Sequence, residues 1–400
     1  MNTKKNDLNL AILHKNIQEF ISNNLKTDLT TLILKGSPFD TVSIQELATQ
    51  IVSKKKSSKK LPTWFSTKNI YYPPTLNIEQ SSSEITAEYK SSLISGTSLI
   101  DITGGFGIDA HAFSKQIQEV THCEINSDLS SIVAHNYKQL GVKNICTVSG
   151  DGIAYLKSTA KNFGCIYIDP SRRNEAKGKV FLLKDCLPNV PENLDFLFSK
   201  STSILIKNSP ILDITSAINE LIFVKEIHII AVHNEVKELL FLLEKDHIKN
   251  IQIKTINVQK DTRQEFQFTI NKEAVSTYSK PLSYLYEPNA AILKSGGFHQ
   301  ISQQLTVFKL HQHSHLYTST KHIEFPGRVF KIKQVMPYDK KQLKKLLKDG
   351  KANITTRNFP ETVAQIRKKT ALKDGGHHYL FFTTDLNNKP VVIISTQIFR

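Results

Sequence analysis

The feature that most restricts the fold of this chain is an alternation that begins at Thr97. SLIDI precedes a helix near 108–116, EVTHCEI one at 128–139, and NICTVS one at 151–159. CIYID leads to a helix near 191–199, SILIK to one at 213–222, and EIHIIAV to one at 235–244. Parallel strands need a long crossover between them, usually a helix, so this repetition predicts a doubly wound α/β sheet. IQIKTINV and QEFQFTI, within 251–270, leave no room for a helix and predict an antiparallel hairpin at one sheet edge. Ligands of such sheets bind beyond the carboxyl ends of the strands, so the residues there are the first candidates for chemistry.

The first four of those ends carry a carboxylate. Asp101-Ile-Thr103-Gly104-Gly105-Phe-Gly107-Ile-Asp109 follows the first strand and opens a helix. Its glycines permit a tight turn and close backbone approach to a ligand. Gly105-x-Gly107-x-x-Ala110 also fits the dinucleotide fingerprint, so on this motif alone a nicotinamide oxidoreductase stays open. Glu124 ends the second strand, 23 residues after Asp101, placed to accept from ribose hydroxyls in either reading. Asp101 would repel a pyrophosphate and attract an amino-bearing ligand. Asp151, in Ser-Gly-Asp-Gly152, follows the third strand, where it is placed to accept from an adenine amino group. Asp169-Pro170-Ser171-Arg172-Arg173 ends the fourth, where a reacting group would face the ligand.

The ordered series DITGGFGID, CEIN, GDG and IDPSRR resembles the motifs of class I S-adenosylmethionine-dependent methyltransferases. With EQSSSEITAEYK, IKNSPILDI, HNEVKEL and YLYEPNAAI, most of residues 60–400 is similar to a bacterial group of methyltransferases with a ferredoxin-like segment and a C-terminal THUMP-like domain. The resemblance implies a Rossmann-like sheet with S-adenosylmethionine as cofactor. It places Asp101 and Gly105 at the amino acid end, Glu124 at the ribose and Asp151 at the adenine, with Thr103, Gly104, Gly107, Asp109 and Gly152 completing the set. THUMP-type domains of related enzymes bind RNA, usually tRNA, so it also implies an RNA partner (tRNA or rRNA).

The acceptor atom is less constrained. Asp169-Pro170 resembles the DPPY-type motif of N-methyltransferases, but Ser171 and Arg172 replace the second proline and the aromatic, removing the usual stacking face. Arg172 and Arg173 suit a phosphate instead. Methylation at pyrimidine C5 needs a cysteine nucleophile, and neither Cys165, inside a strand, nor Cys186, in a loop, is well placed. Ribose 2′-O-methyltransferases commonly use Lys, Asp, Lys and Glu in that order, an order met here by Lys90, Asp169, Lys207 and Glu235. A lysine of lowered pKa would deprotonate the hydroxyl. Asn208 and Ser209 follow Lys207 as candidates for the acceptor pocket, and Asp213 reads as a helix cap. The catalytic set is therefore Asp169, Pro170 and Lys207, with Lys90, Arg172, Arg173, Asn208, Ser209 and Glu235 on the substrate side. Base and ribose acceptors both remain open.

Charge enters at this point. Of the 400 residues, 52 are Lys or Arg and 36 Asp or Glu, for a net charge of +16. Residues 331–400 hold 15 basic against 5 acidic side chains and residues 1–95 hold 12 against 8, while the middle is nearly neutral. Basic ends around a neutral centre suit a polyanion held against a central site. The lysines of YDKKQLKKLLKD would contact phosphates, and in 54–74 lysines lie near Trp64, Tyr71 and Tyr72, which are placed either to stack on unpaired bases or to pack internally. The expected division is a helical N-terminal region at 1–95, a methyltransferase domain at 96–280, a ferredoxin-like segment at 281–330 and a small basic THUMP-like α/β module at 331–400. The four cysteines lack zinc or disulfide spacing and the histidines lack partners at ligand spacing, so no metal is expected. Apolar runs interrupted by charge and the lack of a signal-peptide core point to a cytoplasmic protein without a membrane span. The reading is an RNA methyltransferase. Its rivals are an RNA-binding protein with a vestigial cofactor site and a methyltransferase acting on protein or a small molecule.

Overall fold

The N-terminal region is built from short helices with local stop and start signals. They are α1 (Lys15–Asn23), α2 (Leu29–Lys35), α3 (Ile44–Lys60), α4 (Pro62–Ser66), α5 (Thr75–Gln80) and α6 (Glu84–Ser92). Ser43 and Glu46 close a capping box on α3, while Ser83 caps α6 by accepting from the Thr86 amide. Ile12, Ile17, Ile21, Leu32, Val42, Leu47 and Ile51 form one buried cluster among these helices. The computed structural model describes residues 8–172, 182–347 and 349–398, so Arg173 and Lys348 lie outside the described residues.

The alternating segment follows: β1 (Ser98–Asp101), α7 (Ile108–Ser114), β2 (Glu119–Glu124), α8 (Ser127–Gln139), β3 (Ile145–Ser149), α9 (Gly152–Ser158) and β4 (Cys165–Ile168). Two short strands, β5 (Ser171–Arg172) and β6 (Cys186–Leu187), pair antiparallel beyond β4. Then come α10 (Val190–Lys200), β7 (Ser203–Asn208), α11 (Ile214–Glu220), β8 (Val224–Val232) and β9 (Glu235–Glu244). The chain divides into two compact units, Met1–Val224 with Phe241–His247, and Lys225–Leu240 with Ile248–Arg400. In the first unit β7, β4, β1, β2 and β3 lie side by side in that order, and the paired strands run parallel. Both neighbours of β1 are covered, so Leu99, Ile100, Ile166, Ile204 and Leu205 are fully buried, as a doubly covered sheet requires.

Residues 235–244 correct the sequence reading. EVKELLFLLE is rich in good helix formers, yet it forms strand β9. The two residues before it, His233 and Asn234, have φ of 51° and 63°. Positive φ at both central positions is the signature of a two-residue hairpin turn, which forces the following segment to run back antiparallel. Leu239, Leu240, Phe241 and Leu243 are then fully buried. Tertiary burial and the turn outweigh local propensity here.

The second unit continues with β10 (Gln252–Val258) and β11 (Arg263–Thr269), the expected edge hairpin, with β10 also parallel to β8. Next are β12 (Tyr284–Pro288), α12 (Ala290–Ser295), α13 (Phe298–Gln304), β13 (Phe308–Lys309), β14 (Tyr317–Ser319) and β15 (Gly327–Pro337). Two helices thus fall within the segment expected to be ferredoxin-like. The chain ends with α14 (Lys340–Leu346), β16 (Asn353–Arg357), α15 (Val363–Thr370), β17 (Tyr379–Thr384) and β18 (Pro390–Ile398). These make one seven-stranded sheet, ordered β13-β14-β12-β15-β18-β17-β16. The boundary expected near 330 therefore falls inside β15, which pairs with β12 on one side and β18 on the other. Glu287 of β12 is buried and held by Arg328 of β15 and by Arg357 of β16 at 2.9 Å. One sheet face packs on Leu343, Leu347, Ile366 and Leu372 around α14 and α15, the other on Leu285, Leu310 and Leu316. Among the described residues no helix is long and apolar enough to cross a membrane.

Candidate active site

The strand ends of the first unit bring most of the sequence candidates together. The glycine loop leaves β1 at Asp101 and reaches α7 through Gly107, whose φ is 79°. Its underside is tight. A side-chain carbon on Gly104 would lie 2.2 Å from Nε2 of His122, and one on Gly107 would lie 2.3 Å from the Tyr137 hydroxyl. Gly105 is different: only the Thr103 carbonyl, at 3.9 Å, comes near its position. The loop thus rests closely on β2 and α8 and is open above Gly105. Gly152 meets Ile102 at 2.5 Å in the same test, so its lack of a side chain serves the approach of α9 to β1.

Glu124 closes over this loop. Its Oε2 accepts from the Gly105 amide at 2.8 Å and its Oε1 from the Asn126 amide at 2.7 Å. The next residue, Ile125, is 74% exposed. Asp151 is exposed and caps α9, accepting from the Ala154 amide at 2.7 Å. An open glycine loop, a half-buried carboxylate at its rim, an exposed apolar side chain and an exposed carboxylate thus follow one another along this edge of the sheet.

Asp101 is buried at 1% exposure, with Oδ1 accepting from the Thr103 amide at 2.9 Å and from its hydroxyl at 3.3 Å. Burial, reinforced by Asp109 and Asp169, raises its pKa well above the usual carboxylate range against the Thr103 hydrogen bonds. Thr103 also reaches forward, since its Oγ1 accepts from the Asp169 amide at 2.7 Å. The loop after β1 is therefore hydrogen-bonded to the end of β4. There Asp169 is ion-paired with Lys207 of β7, its cross-strand neighbour, and both remain partly exposed. Pro170 is buried, and Ser171 and Leu187 of the β5–β6 hairpin are exposed beside it.

Several candidates fall elsewhere. Asp109 does not face the open loop. It takes hydrogen bonds from the Ser82 hydroxyl at 2.8 Å and the Tyr167 hydroxyl at 2.7 Å, and an ion pair from Lys90 at 3.2 Å. Burial works to raise its pKa, but Lys90, then Lys207 and the two hydroxyls, outweigh it and hold the carboxyl below the usual range. Lys90 is fully buried and also donates to Ser82 Oγ at 2.9 Å, so it fastens α6 to α7 rather than presenting an amine to substrate. Glu235 lies in the second unit, exposed and paired with Lys237 at 2.7 Å. Of the Lys-Asp-Lys-Glu set, only Asp169 and Lys207 are brought together in the first unit. Asn208 is buried with neither side-chain polar atom hydrogen-bonded, while Ser209 is exposed and accepts from the Ile211 amide at 3.4 Å. Arg172 lies on β5, and Asp213 caps α11 as expected. Trp64 and Tyr72 are buried, which removes them as stacking platforms for bases. Cys165 is buried and its thiol is pushed up to about 12 by burial, unsuited to nucleophilic attack. Among the described residues no cluster of three or more His, Cys, Asp or Glu is arranged to hold a metal.

One contributor was missed in the sequence. His122 is fully buried under Gly104, with neither ring nitrogen hydrogen-bonded, and burial lowers its pKa to about 4. Nothing in EVTHCEI distinguishes it from any other inward strand residue.

Comparison with known proteins bears on the family and the fold. Residues 284–326 match a family model described as a ferredoxin-like domain and residues 327–397 one described as THUMP domain-like. No curated protein matches the sequence. The solved structure of a "putative methyltransferase" from Porphyromonas gingivalis W83 is 31% identical, with a TM-score of 0.87, over 97% of this chain and 98% of that one. SMU.1697c, a "putative methyltransferase" from Streptococcus mutans solved with S-adenosylhomocysteine, is 13% identical at a TM-score of 0.30, over 40% of this chain and 96% of that one, too distant to carry an argument. On the near end-to-end match, this chain belongs to the family of the Porphyromonas gingivalis protein, and it joins a class I methyltransferase fold to a ferredoxin-like segment and a C-terminal THUMP-like domain.

Proposed function

We propose that the chain is an S-adenosylmethionine-dependent methyltransferase acting on RNA, tRNA or rRNA, with the acceptor presented at Asp169. The observation that carries the reading is the continuity from the open glycine loop through Thr103 to the Asp169–Lys207 pair. Cofactor and acceptor ends of one site are thereby fixed relative to each other, and alignment is most of what methyl transfer requires. S-adenosylmethionine, when bound, supplies an electrophilic methyl group. In this reading Gly105 and Asp101 receive its amino acid end, Glu124 its ribose and Asp151 its adenine, while Gly104, Gly107 and Gly152 shape the loop and Asp109 anchors it from below. Asp169 accepts the proton-bearing group of the acceptor. Lys207, ion-paired with that carboxylate, supplies positive charge beside a hydroxyl or amine that gives up its proton. Asn208 and Ser209 border the acceptor side.

RNA is favoured as the substrate by the second unit. It contains the THUMP-like match, and Lys340, Lys341, Lys345 and Lys368 are exposed on helices whose Leu343 and Ile366 are buried against the sheet. Such lysines bind phosphates without reading sequence. The test is transfer of labelled methyl groups to total cellular RNA by the purified chain and by Asp169→Asn. RNase-sensitive label, lowered at least about 100-fold by Asp169→Asn with cofactor affinity kept within about 2-fold, is the expected result. Label that resists RNase and yields to protease would replace RNA by a protein substrate.

A further inference from the structure

The segment between α3 and α5 is strapped to the back of the glycine loop. Its only tryptophan, Trp64 on α4, is also the only one in the chain and is fully buried. The indole packs on Phe106, the side chain inside the Gly-Gly-Phe-Gly loop, with ring centroids 4.8 Å apart. It meets His111 of α7 edge-on at 5.7 Å, and its Nε1–H donates to Nδ1 of that histidine at 3.3 Å. It also meets Tyr137 of α8 at 6.4 Å, and the Tyr137 hydroxyl donates to the Gly107 carbonyl at 2.9 Å. One aromatic cluster therefore touches the loop at two points, at Phe106 through its ring and at Gly107 through a hydrogen bond.

The strap itself is fixed at several points. Glu84 accepts from the backbone amides of Thr63 and Trp64 and from the Thr63 hydroxyl. The Tyr72 hydroxyl donates to the Trp64 carbonyl at 3.1 Å. Asn136 of α8 brackets Tyr71, accepting from its amide at 2.8 Å and donating to its carbonyl at 2.9 Å. An aromatic held this firmly is placed to limit how the loop moves. The front of the loop needs that limit, because it is open above Gly105 and because Glu124 depends on the Gly105 amide staying in place.

We infer that Trp64 is a positioning residue of the cofactor site, acting through Phe106 and Tyr137 to hold Gly105–Gly107 in its ligand-ready conformation. The N-terminal region is then part of the cofactor site rather than an appendage. A ligand that must first order the loop binds more weakly by the ordering cost, so loosening the strap lowers affinity without removing any group that touches the ligand. The inference rests on the adenosyl reading of the site but not on the RNA substrate.

The experiment is calorimetric titration of the full chain with S-adenosylhomocysteine. Trp64→Phe should weaken binding about 10-fold, and Tyr137→Phe, which deletes one oxygen, should weaken it several-fold. Leu47→Ala is the control, since it opens a cavity in the N-terminal cluster, which contains none of Trp64, Phe106 or Tyr137. It should lower the melting temperature at least as much and leave the affinity within about 2-fold. Should Trp64→Phe not fold, Tyr137→Phe decides alone. Unchanged affinity in the folded aromatic variants, or equal weakening in Leu47→Ala, would overturn the assignment. If the wild type itself fails to bind S-adenosylhomocysteine, the adenosyl reading fails and the strap has no ligand to serve.

Discussion

Lys90→Met separates a structural lysine from a substrate-binding one. The Lys90 ammonium is fully buried, 3.2 Å from Asp109 and 2.9 Å from Ser82 Oγ. Asp109 has two neutral donors besides, the Ser82 and Tyr167 hydroxyls. Methionine fills much of the same volume, so the cost is electrical rather than steric. Removing one partner of a buried pair typically costs about 3–5 kcal/mol because the other charge is left uncompensated. The two hydroxyls each return part of that, and the lower end, about 3 kcal/mol, is expected. The pH dependence carries a sharper signature. In the wild type Asp109 is held below the ordinary carboxylate value, so its contribution is present above that value and is lost only as pH falls through its depressed folded pKa. Without Lys90, burial is opposed only by Lys207 and the two hydroxyls, so the folded pKa rises and the stabilisation present above the ordinary carboxylate value shrinks. Urea unfolding of both proteins between pH 3 and 8, with constant m-value, should show a stability gap that widens with pH. Asp109→Asn added to Lys90→Met should recover part of the loss at neutral pH. A Lys90→Met protein of unchanged stability that binds cofactor but transfers no methyl group would refute the reasoning and restore Lys90 to the acceptor side.

Other outcomes follow from the same geometry. Asp101→Asn removes a carboxylate whose burial raises its pKa, so it should stabilise the fold at neutral pH while weakening S-adenosylhomocysteine binding by at least about 10-fold, read by melting temperature and calorimetry. Gly104→Ala places a carbon 2.2 Å from His122 Nε2 and should abolish cofactor binding, and His122→Ala in the same chain should restore part of it. Replacing Lys340, Lys341 and Lys345 together by Ala should weaken RNA binding and flatten its dependence on salt, measured by fluorescence anisotropy between 50 and 200 mM salt. A salt slope equal to that of the wild type would remove α14 from the RNA surface.

The strand-end motifs were legible because their chemistry is local. A glycine loop after a strand and carboxylates at successive strand ends occupy fixed places in sequence, and the sheet delivers Asp101, Glu124, Asp151 and Asp169 to one edge. What the sequence hid depends on which face a residue meets. Lys90 and Asp109 sit on adjoining helices, so motif order alone does not reveal that they pair inside the protein. Trp64 reads equally as a base platform or a core residue until its contact with Phe106 is known. Residues 235–244 mislead for a different reason: leucine, glutamate and lysine favour a helix, and only the positive φ at His233 and Asn234 reverses the outcome.

The buried charges at this site oppose one another in a way that stability alone does not account for. Asp109 is satisfied by Lys90 and two hydroxyls, but Asp101, a short way along the same loop, has among the described residues only Thr103 as a hydrogen-bond donor, and burial raises its pKa. A chain selected only for stability would place asparagine at 101, which would keep an oxygen for the Thr103 bonds without burying a charge. The carboxylate is explained if a cation arrives, because an amino-bearing ligand lowers the Asp101 pKa on binding and repays its desolvation. Cofactor binding should then release protons at pH values near the raised pKa of the free protein. Titration with S-adenosylhomocysteine in buffers of different ionisation enthalpy measures that release directly. A binding enthalpy independent of the buffer from pH 5 to 8 would mean that Asp101 does not change protonation on binding, and the account of its charge would have to be abandoned.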